Sequence, residues 1–320
     1  MTHDQTTRWM LVIAIGMSVL AQGCDRADQS TQQERSMDSP AVESAFARTE
    51  REWRETRRAT LLDPVGWTTL VGLHWLERGA HYVGSAPDNG IHLAMGPAHL
   101  GMIAVDGNTV TFTPDKTNLV TLDQQPLMSQ AILRTDADPA GPSVIGFDDG
   151  KGQATVIERS DRHALRVRHA DAPTRIHFAG LTYWPADPAW IVPARFVPHE
   201  AGRKMEVANI IGSMDAMSNP GIVEFQRDGK TWQLEALDEG EGVLFLVFAD
   251  RTNGHGSYGA GRFLDAPMPD AKGNVLLDFN QARNPPCAFT SFATCPLPPP
   301  ENRLDLAITA GEKAYRSASP

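Results

Sequence analysis

Gly221-Ile222-Val223-Glu224-Phe225, Arg227-Asp228-Gly229-Lys230 and Thr231-Trp232-Gln233-Leu234-Glu235-Ala236 together decide the fold. Two runs rich in β-branched and aromatic residues flank an Asp-Gly pair. Asp and Gly are residue types that take the positive φ values of a tight hairpin turn. Val243-Leu244-Phe245-Leu246-Val247-Phe248 follows, and every side chain in it is apolar. A strand with no polar face must be covered on both sides, so this one reads as central.

Working outward, the pattern repeats in both directions. Ala194–Val197 and Met205–Val207 precede the hairpin. Closer to the N-terminus stand Gly66–Leu73, Trp75-Leu76, Ala80–Val83, Ile91–Leu93 and Met102–Val105. Asp106-Gly107 then turns the chain into Thr109–Phe112, and Ala154–Glu158, Leu165–Arg168 and Ile176–Phe178 follow. With 27 Gly and 23 Pro punctuating short runs, the spacing predicts a mainly β chain of two sandwich- or barrel-like domains. The Pro- and aromatic-rich stretch Tyr183–Trp190 reads as the junction between them. The expected boundaries are 63–182 and 183–316.

One helix is expected, over residues 41–62. Val42, Phe46, Thr49, Trp53, Thr56 and Thr60 recur at helical spacing, and Arg48, Glu50, Arg51, Arg54, Glu55 and Arg58 occupy the opposite face. This reads as an amphipathic helix packed by Trp53, with the charges in water. Asp63-Pro64 ends it, because the residue before Pro is driven out of helical geometry.

Composition excludes several classes. At 41 % hydrophobic and 21 % charged, the 320-residue chain is globular rather than disordered. A net charge of -10 argues against nucleic-acid binding, which needs a basic face. Three Cys do not make a disulfide scaffold.

The first residues read as an address. Arg8 precedes the apolar stretch Trp9–Ala21, which is too short for a helix to cross a bilayer core of ~30 Å but suits a signal peptide. It ends Leu20-Ala21-Gln22-Gly23-Cys24, which resembles a bacterial lipobox, with Ala21 where Leu usually stands. The reading is a signal peptide over 1–23, lipid on Cys24 and a polar tether over 24–40. Ordinary secretory cleavage, leaving Cys24 free, is the other reading. The implied location is the bacterial cell envelope, anchored to the membrane and facing the periplasm. Cys287 and Cys295 then remain as an even pair in an oxidising compartment, which predicts a disulfide.

Gly79-Ala-His-Tyr-Val-Gly84-Ser-Ala-Pro-Asp88-Asn89-Gly-Ile91-His-Leu93 resembles the start of a forkhead-associated sandwich. That family clamps phosphothreonine with an Arg, and Ser85 stands in its place here. The resemblance therefore implies a fold and not phosphopeptide binding.

The C-terminal motifs resemble the bacterial domain-of-unknown-function 1684 family. They are Phe248-Ala-Asp250-Arg-Thr252, Tyr258-Gly-Ala-Gly-Arg262, Asp278-Phe-Asn280, Asn284-Pro285-Pro-Cys287-Ala-Phe289, Cys295-Pro-Leu-Pro, Glu301-Asn-Arg303-Leu and Ala310-Gly-Glu312-Lys313. The resemblance runs from about Trp53 to Lys313 and brings no assigned activity.

The residues of these motifs form the candidate site. Arg262 would hold an anionic group, and Asp250 or Glu301 would act as general base or acid if burial raised its pKa. Asn280 and Asn284 would orient a substrate, with Tyr258, Asn302 and Arg303 lining a ligand site. The opposite reading is that Asp, Asn and Arg pin long loops by bonding backbone groups. A small polar or anionic ligand bound by an envelope protein is preferred over a hydrolase or lyase. No cofactor or metal is implied. Gly254-His-Gly256-Ser-Tyr-Gly259 lacks the following helix that a dinucleotide fingerprint needs. A zinc site from Cys287, Cys295 and His255 would lack a fourth ligand. Cys287 as nucleophile would need a base, for which His255 is nearest in sequence.

Overall fold

The computed structural model describes residues 43–317. The expected signal peptide, lipid on Cys24 and polar tether lie outside the described residues. Among the described residues, no helix is long and apolar enough to cross a membrane.

The Asp228-Gly229 hairpin forms as expected. Arg227 pairs with Lys230, and the two residues between them take φ of 52° and 72°. It joins Met214–Arg227 to Lys230–Asp238 in a seven-stranded sheet. The order along that sheet is Arg262–Pro267, Val243–Phe248, Lys230–Asp238, Met214–Arg227, Ile191–Pro198 and Asn274–Asp278, with Lys204–Ala208 also on Met214–Arg227. The first and last of these strands lie against each other without a ladder, so the sheet curls into a nearly closed barrel. Val243–Phe248 is buried on both faces. Leu244, Leu246 and Phe248 enter one hydrophobic cluster, while Phe245 and Val247 enter another with Val207, Phe263 and Cys295.

Residues 70–169 build a sandwich. A five-stranded sheet and a six-stranded sheet share one core, with Val83, Ile103 and Phe112 from the first against Ile145, Val156 and Leu165 from the second. Gly107-Asn108 makes the turn between Asp106 and Thr109, which pair. Ser85 donates to Gly96 O at 2.8 Å, and Asn89 donates to Ala86 O and Ala98 O at 2.8 Å each, so these side chains hold loop backbone. Ile176–Phe178, expected as strand, instead ends and leaves the helical turn Pro173–Ile176. Pro173 begins that turn, where its fixed φ suits the first helical position.

The helix spans Ala45–Leu62, capped by Ser44, whose side chain accepts from Ala47 N. Its inward face is not the expected one. Thr49, Thr56 and Thr60 are exposed, whereas Glu50 and Leu61 are buried and Arg54 and Arg57 half-buried. The helix docks through ions. Arg57 Nε donates to Glu312 Oε1 at 2.8 Å and its Nη2 donates to Asn284 O at 3.0 Å. Trp53 packs edge-on to Tyr183 at 6.3 Å.

Residues 302–310 were not anticipated as an element. Asn302, Leu304, Leu306, Ile308 and Ala310 are buried and the residues between them exposed. This is strand-like alternation in a segment that makes only isolated backbone bonds, such as Leu304 N to Ala249 O at 2.8 Å and Arg251 N to Leu306 O at 2.9 Å.

Candidate functional site

In the polar set of the C-terminal half, Asp250 and Arg262 meet each other, and the asparagines bond mostly to backbone. Arg262 is fully buried. Its Nη2 donates to Asp250 Oδ2 at 2.5 Å and to Ile308 O at 2.9 Å, and its Nη1 donates to Ala310 O. Asp250 Oδ1 accepts from Thr252 N at 2.6 Å. Burial lowers the Arg262 pKa, opposed by the charge of Asp250. The guanidinium thus ties the 302–310 segment to the barrel strand Arg262–Pro267, and Asp250 neutralises it. Gly261 beside it has φ of 110°, and a Cβ there would meet Phe248 O at 2.9 Å. Only glycine lets the chain approach this closely.

The asparagines do similar work. Asn302 donates to Glu235 O and Val247 O at 2.9 Å each and accepts from Glu235 N at 2.7 Å. Asn280 exchanges bonds of 3.0 Å with the backbone of Asp187. Asn284 donates its backbone N–H to Glu312 Oε2 at 2.7 Å and its Nδ2 to Lys313 O at 2.8 Å. Gly311, with φ of 77°, lets Glu312 turn inward; a Cβ there would meet Ala282 O at 2.3 Å. Glu301 and Arg303 are exposed, so Glu301 does not join Asp250. Two expectations are corrected by this geometry. Arg262 is not an open anion clamp, because its donors go to Asp250 and carbonyls. Asp250 is not a free acid or base, because both its oxygens accept bonds within the fold.

The open space lies elsewhere. A cleft of about 630 Å³ runs between the helix and the barrel, lined by Trp53, Arg57, Trp67, Arg159, Phe245, Phe263, Asp265, Arg283, Asn284, Phe289, Thr294 and Cys295 among others. Arg57 is paired to Glu312 and Arg283 to Asp265. Glu239 and Glu241 also line the cleft, and two cations meet at Thr294. Thr294 Oγ1 accepts from Arg159 Nε at 3.0 Å and from Arg166 Nη2 at 3.3 Å. Arg159 also reaches Asp136 Oδ2 at 2.8 Å, but Arg166 has no carboxylate within ion-pair distance among the described residues. Arg166 is 8 % exposed, its Nε has no partner, and its guanidinium lies 5.6 Å from the Trp67 ring centre. Burial first, and then the charge of Arg159, bring its pKa down to about 10.

Cys287 and Cys295 meet beside this end of the cleft. They are free thiols, so the expected disulfide is not formed in this structure. A backbone N–H occupies the sulfur instead: Cys287 N donates to Cys295 Sγ at 3.1 Å. Tyr258 Oη stands 3.2 Å from Cys287 O and 3.7 Å from its Sγ, so one hydroxyl proton serves both. A hydrogen bond from Cys295 pulls the Cys287 pKa down to about 7, against burial, and Tyr258 adds to the effect. The same bond, with burial, pushes Cys295 up. Burial and Cys287 raise Tyr258. His255 is exposed, its Nδ1 3.1 Å from Asn253 O, and it is Tyr258 that contacts Cys287. Among the described residues no group of three or more His, Cys, Asp or Glu could hold a metal ion.

Residues 176–313 match the model of a family described as a protein of unknown function, DUF1684. The match supports the DUF1684 family for this chain. The DUF1684 segment contains the barrel, the 302–310 segment and both thiols. It excludes the helix, Arg159 on the cleft wall and Arg166, which bonds to Thr294 there. An uncharacterised protein of Haloarcula marismortui, solved by solution NMR, is 34 % identical over 43 % of this chain and 78 % of its own, with a TM-score of 0.37. No curated protein matches the chain.

Sequence reading missed Arg57, Arg159 and Arg166. Arg166 sits inside Leu165–Arg168, a run read only as strand. Its one legible signal was a charged residue between Leu165 and Val167 with neighbours of the same sign at Arg162 and Arg168.

Proposed function

We propose that this is a lipid-anchored envelope protein of the DUF1684 family that binds a small anionic ligand at the Thr294 end of the cleft. The observation that carries the reading is Arg166, a buried guanidinium with no carboxylate partner, bonded to a threonine that lines open space. An uncompensated buried charge is strongly destabilising unless something neutralises it. Arg159 adds a second cation, Thr294 a hydroxyl and Trp67 an aromatic wall. Such a set suits a carboxylate, sulfate or phosphate group on a small molecule. Lipid on Cys24 would hold the cleft at the membrane surface. The hydrolase or lyase reading has less support, because Asp250 is committed to Arg262 and Glu301 stands apart in solvent.

Inorganic phosphate is the first probe. It should raise the thermal midpoint of the protein in a concentration-dependent way, as any ligand of the native state does. Arg166→Met should abolish that response. A midpoint indifferent to phosphate, sulfate and small dicarboxylates alike would remove the proposal.

A further inference from the structure

The two cysteines stand in an arrangement that a static bridge does not require. Each is already anchored by backbone bonds. Ile210 N donates to Cys295 O at 2.9 Å and Leu297 N to Ala208 O at 2.7 Å, while Cys287 lies in the turn Pro286–Ala288, closed by Phe289 N on Pro286 O. The loop between them is short, so a bond there would constrain the unfolded chain little. The two thiols also differ. Cys287 is half-buried, whereas Cys295 is 4 % exposed on the cleft wall. Tyr258 Oη, 3.7 Å from Cys287 Sγ, can donate to a thiolate there. One part-exposed thiol with a donor, backed by a buried thiol whose sulfur accepts from the same residue's backbone N–H at 3.1 Å, is the layout of an attacking and a resolving cysteine.

We propose that Cys287 and Cys295 form a reversible dithiol centre that exchanges with an incoming disulfide. Cys287 thiolate attacks one sulfur of the disulfide, forming a mixed disulfide and expelling one substrate thiolate, which takes up the Cys287 proton. Cys295 then gives up its proton and attacks Cys287 Sγ, and the second substrate thiolate leaves with that proton. The net change oxidises the two protein thiols to a disulfide and reduces one substrate disulfide to two thiols. Tyr258 is a positioning residue that holds and stabilises the Cys287 thiolate.

The test uses the full chain carrying Cys24→Ser, so that only this pair reports. The reduced protein is exposed to oxidised glutathione, or separately to insulin as a disulfide-bonded polypeptide, then acid-quenched, alkylated and weighed. Reaction with oxidised glutathione alone would indicate a small disulfide substrate, and reaction with insulin a polypeptide one. In either arm the protein should lose both alkylatable thiols, and dithiothreitol should restore them. Cys295→Ser should trap one substrate moiety on Cys287, and Cys287→Ser should trap at least tenfold less. Tyr258→Phe should slow trapping several-fold at pH 7 and shift its pH midpoint upward, which a purely structural tyrosine would not do. Thiols that react with neither disulfide would overturn the proposal, as would a bridge that forms but resists dithiothreitol, or equal trapping at the two cysteines. The phosphate response is read on a different variant, so this inference and the anion-binding reading can fail separately.

Discussion

Arg262 and Arg166 are both buried arginines on β-strands, and they differ in what surrounds them. Arg262 has a carboxylate and two carbonyls on its Nη atoms, whereas Arg166 has one hydroxyl, and the Nε of each goes without a partner. A guanidinium whose donors meet Asp250 and the 302–310 backbone is a fastener. One with no carboxylate at ion-pair distance is, under the proposed function, the group that an anion would neutralise. The same side chain, buried in both places, therefore has different meanings, and the partners decide which.

The comparison can be broken most directly at the fastener. Asp250→Ala leaves Arg262 charged and alone, so it should cost about 3–5 kcal/mol in chemical denaturation. Adding Arg262→Met to it should recover part of that loss. If Asp250→Ala is as stable as the parent, the pair is not what holds the segment. Next in size, Asn302→Ala strips partners from three backbone groups and should cost about 2–3 kcal/mol by the same measurement. At the other arginine the sign should reverse. Arg166→Met removes an uncompensated buried charge, so unliganded stability should stay level or rise by about 1 kcal/mol. A large loss there would mean that Arg166 is structural after all.

The smallest effect expected is a pH dependence at the helix. Glu50 is buried, and neither of its carboxylate oxygens has a hydrogen-bond partner. Burial, and then the charge of Asp278, raise its pKa above 4.5. A carboxyl raised in the folded state favours folding while protonated. Its contribution is therefore full below pH 4.5 and is lost as pH rises through the folded value. Glu50→Gln should flatten that decline in a stability profile measured from pH 4 upward, and an unchanged profile would show that the carboxyl is solvated.

Much of the fold was legible because strands carry their own signals. Asp228-Gly229 turns where the residue types allow positive φ, and an all-apolar run such as Val243–Phe248 has no face to give to water. The helix was legible as a helix but not in its orientation. Its charged residues were assigned to solvent, and Arg57 found Glu312 at a separation no periodicity reports. Leu304, Leu306 and Ile308 did show their alternation, yet Pro and polar neighbours masked it. The site was less legible still. Its acids, amides and arginine could be named from their motifs, but the motifs did not say that Asp250 meets Arg262, that Glu301 faces solvent or that the asparagines bond backbone.

By itself, then, the chain's order of apolar and turn-forming residues determined a mainly β protein with one helix before its sheets, because those preferences are local. Only the tertiary structure decided that Asp250 neutralises Arg262, that Arg166 goes without such a partner, and that Cys287 and Cys295 lie side by side under Tyr258. Burial and pairing depend on groups far apart in the chain, and the free energy of a charge or a thiol is set by whichever of them arrives beside it.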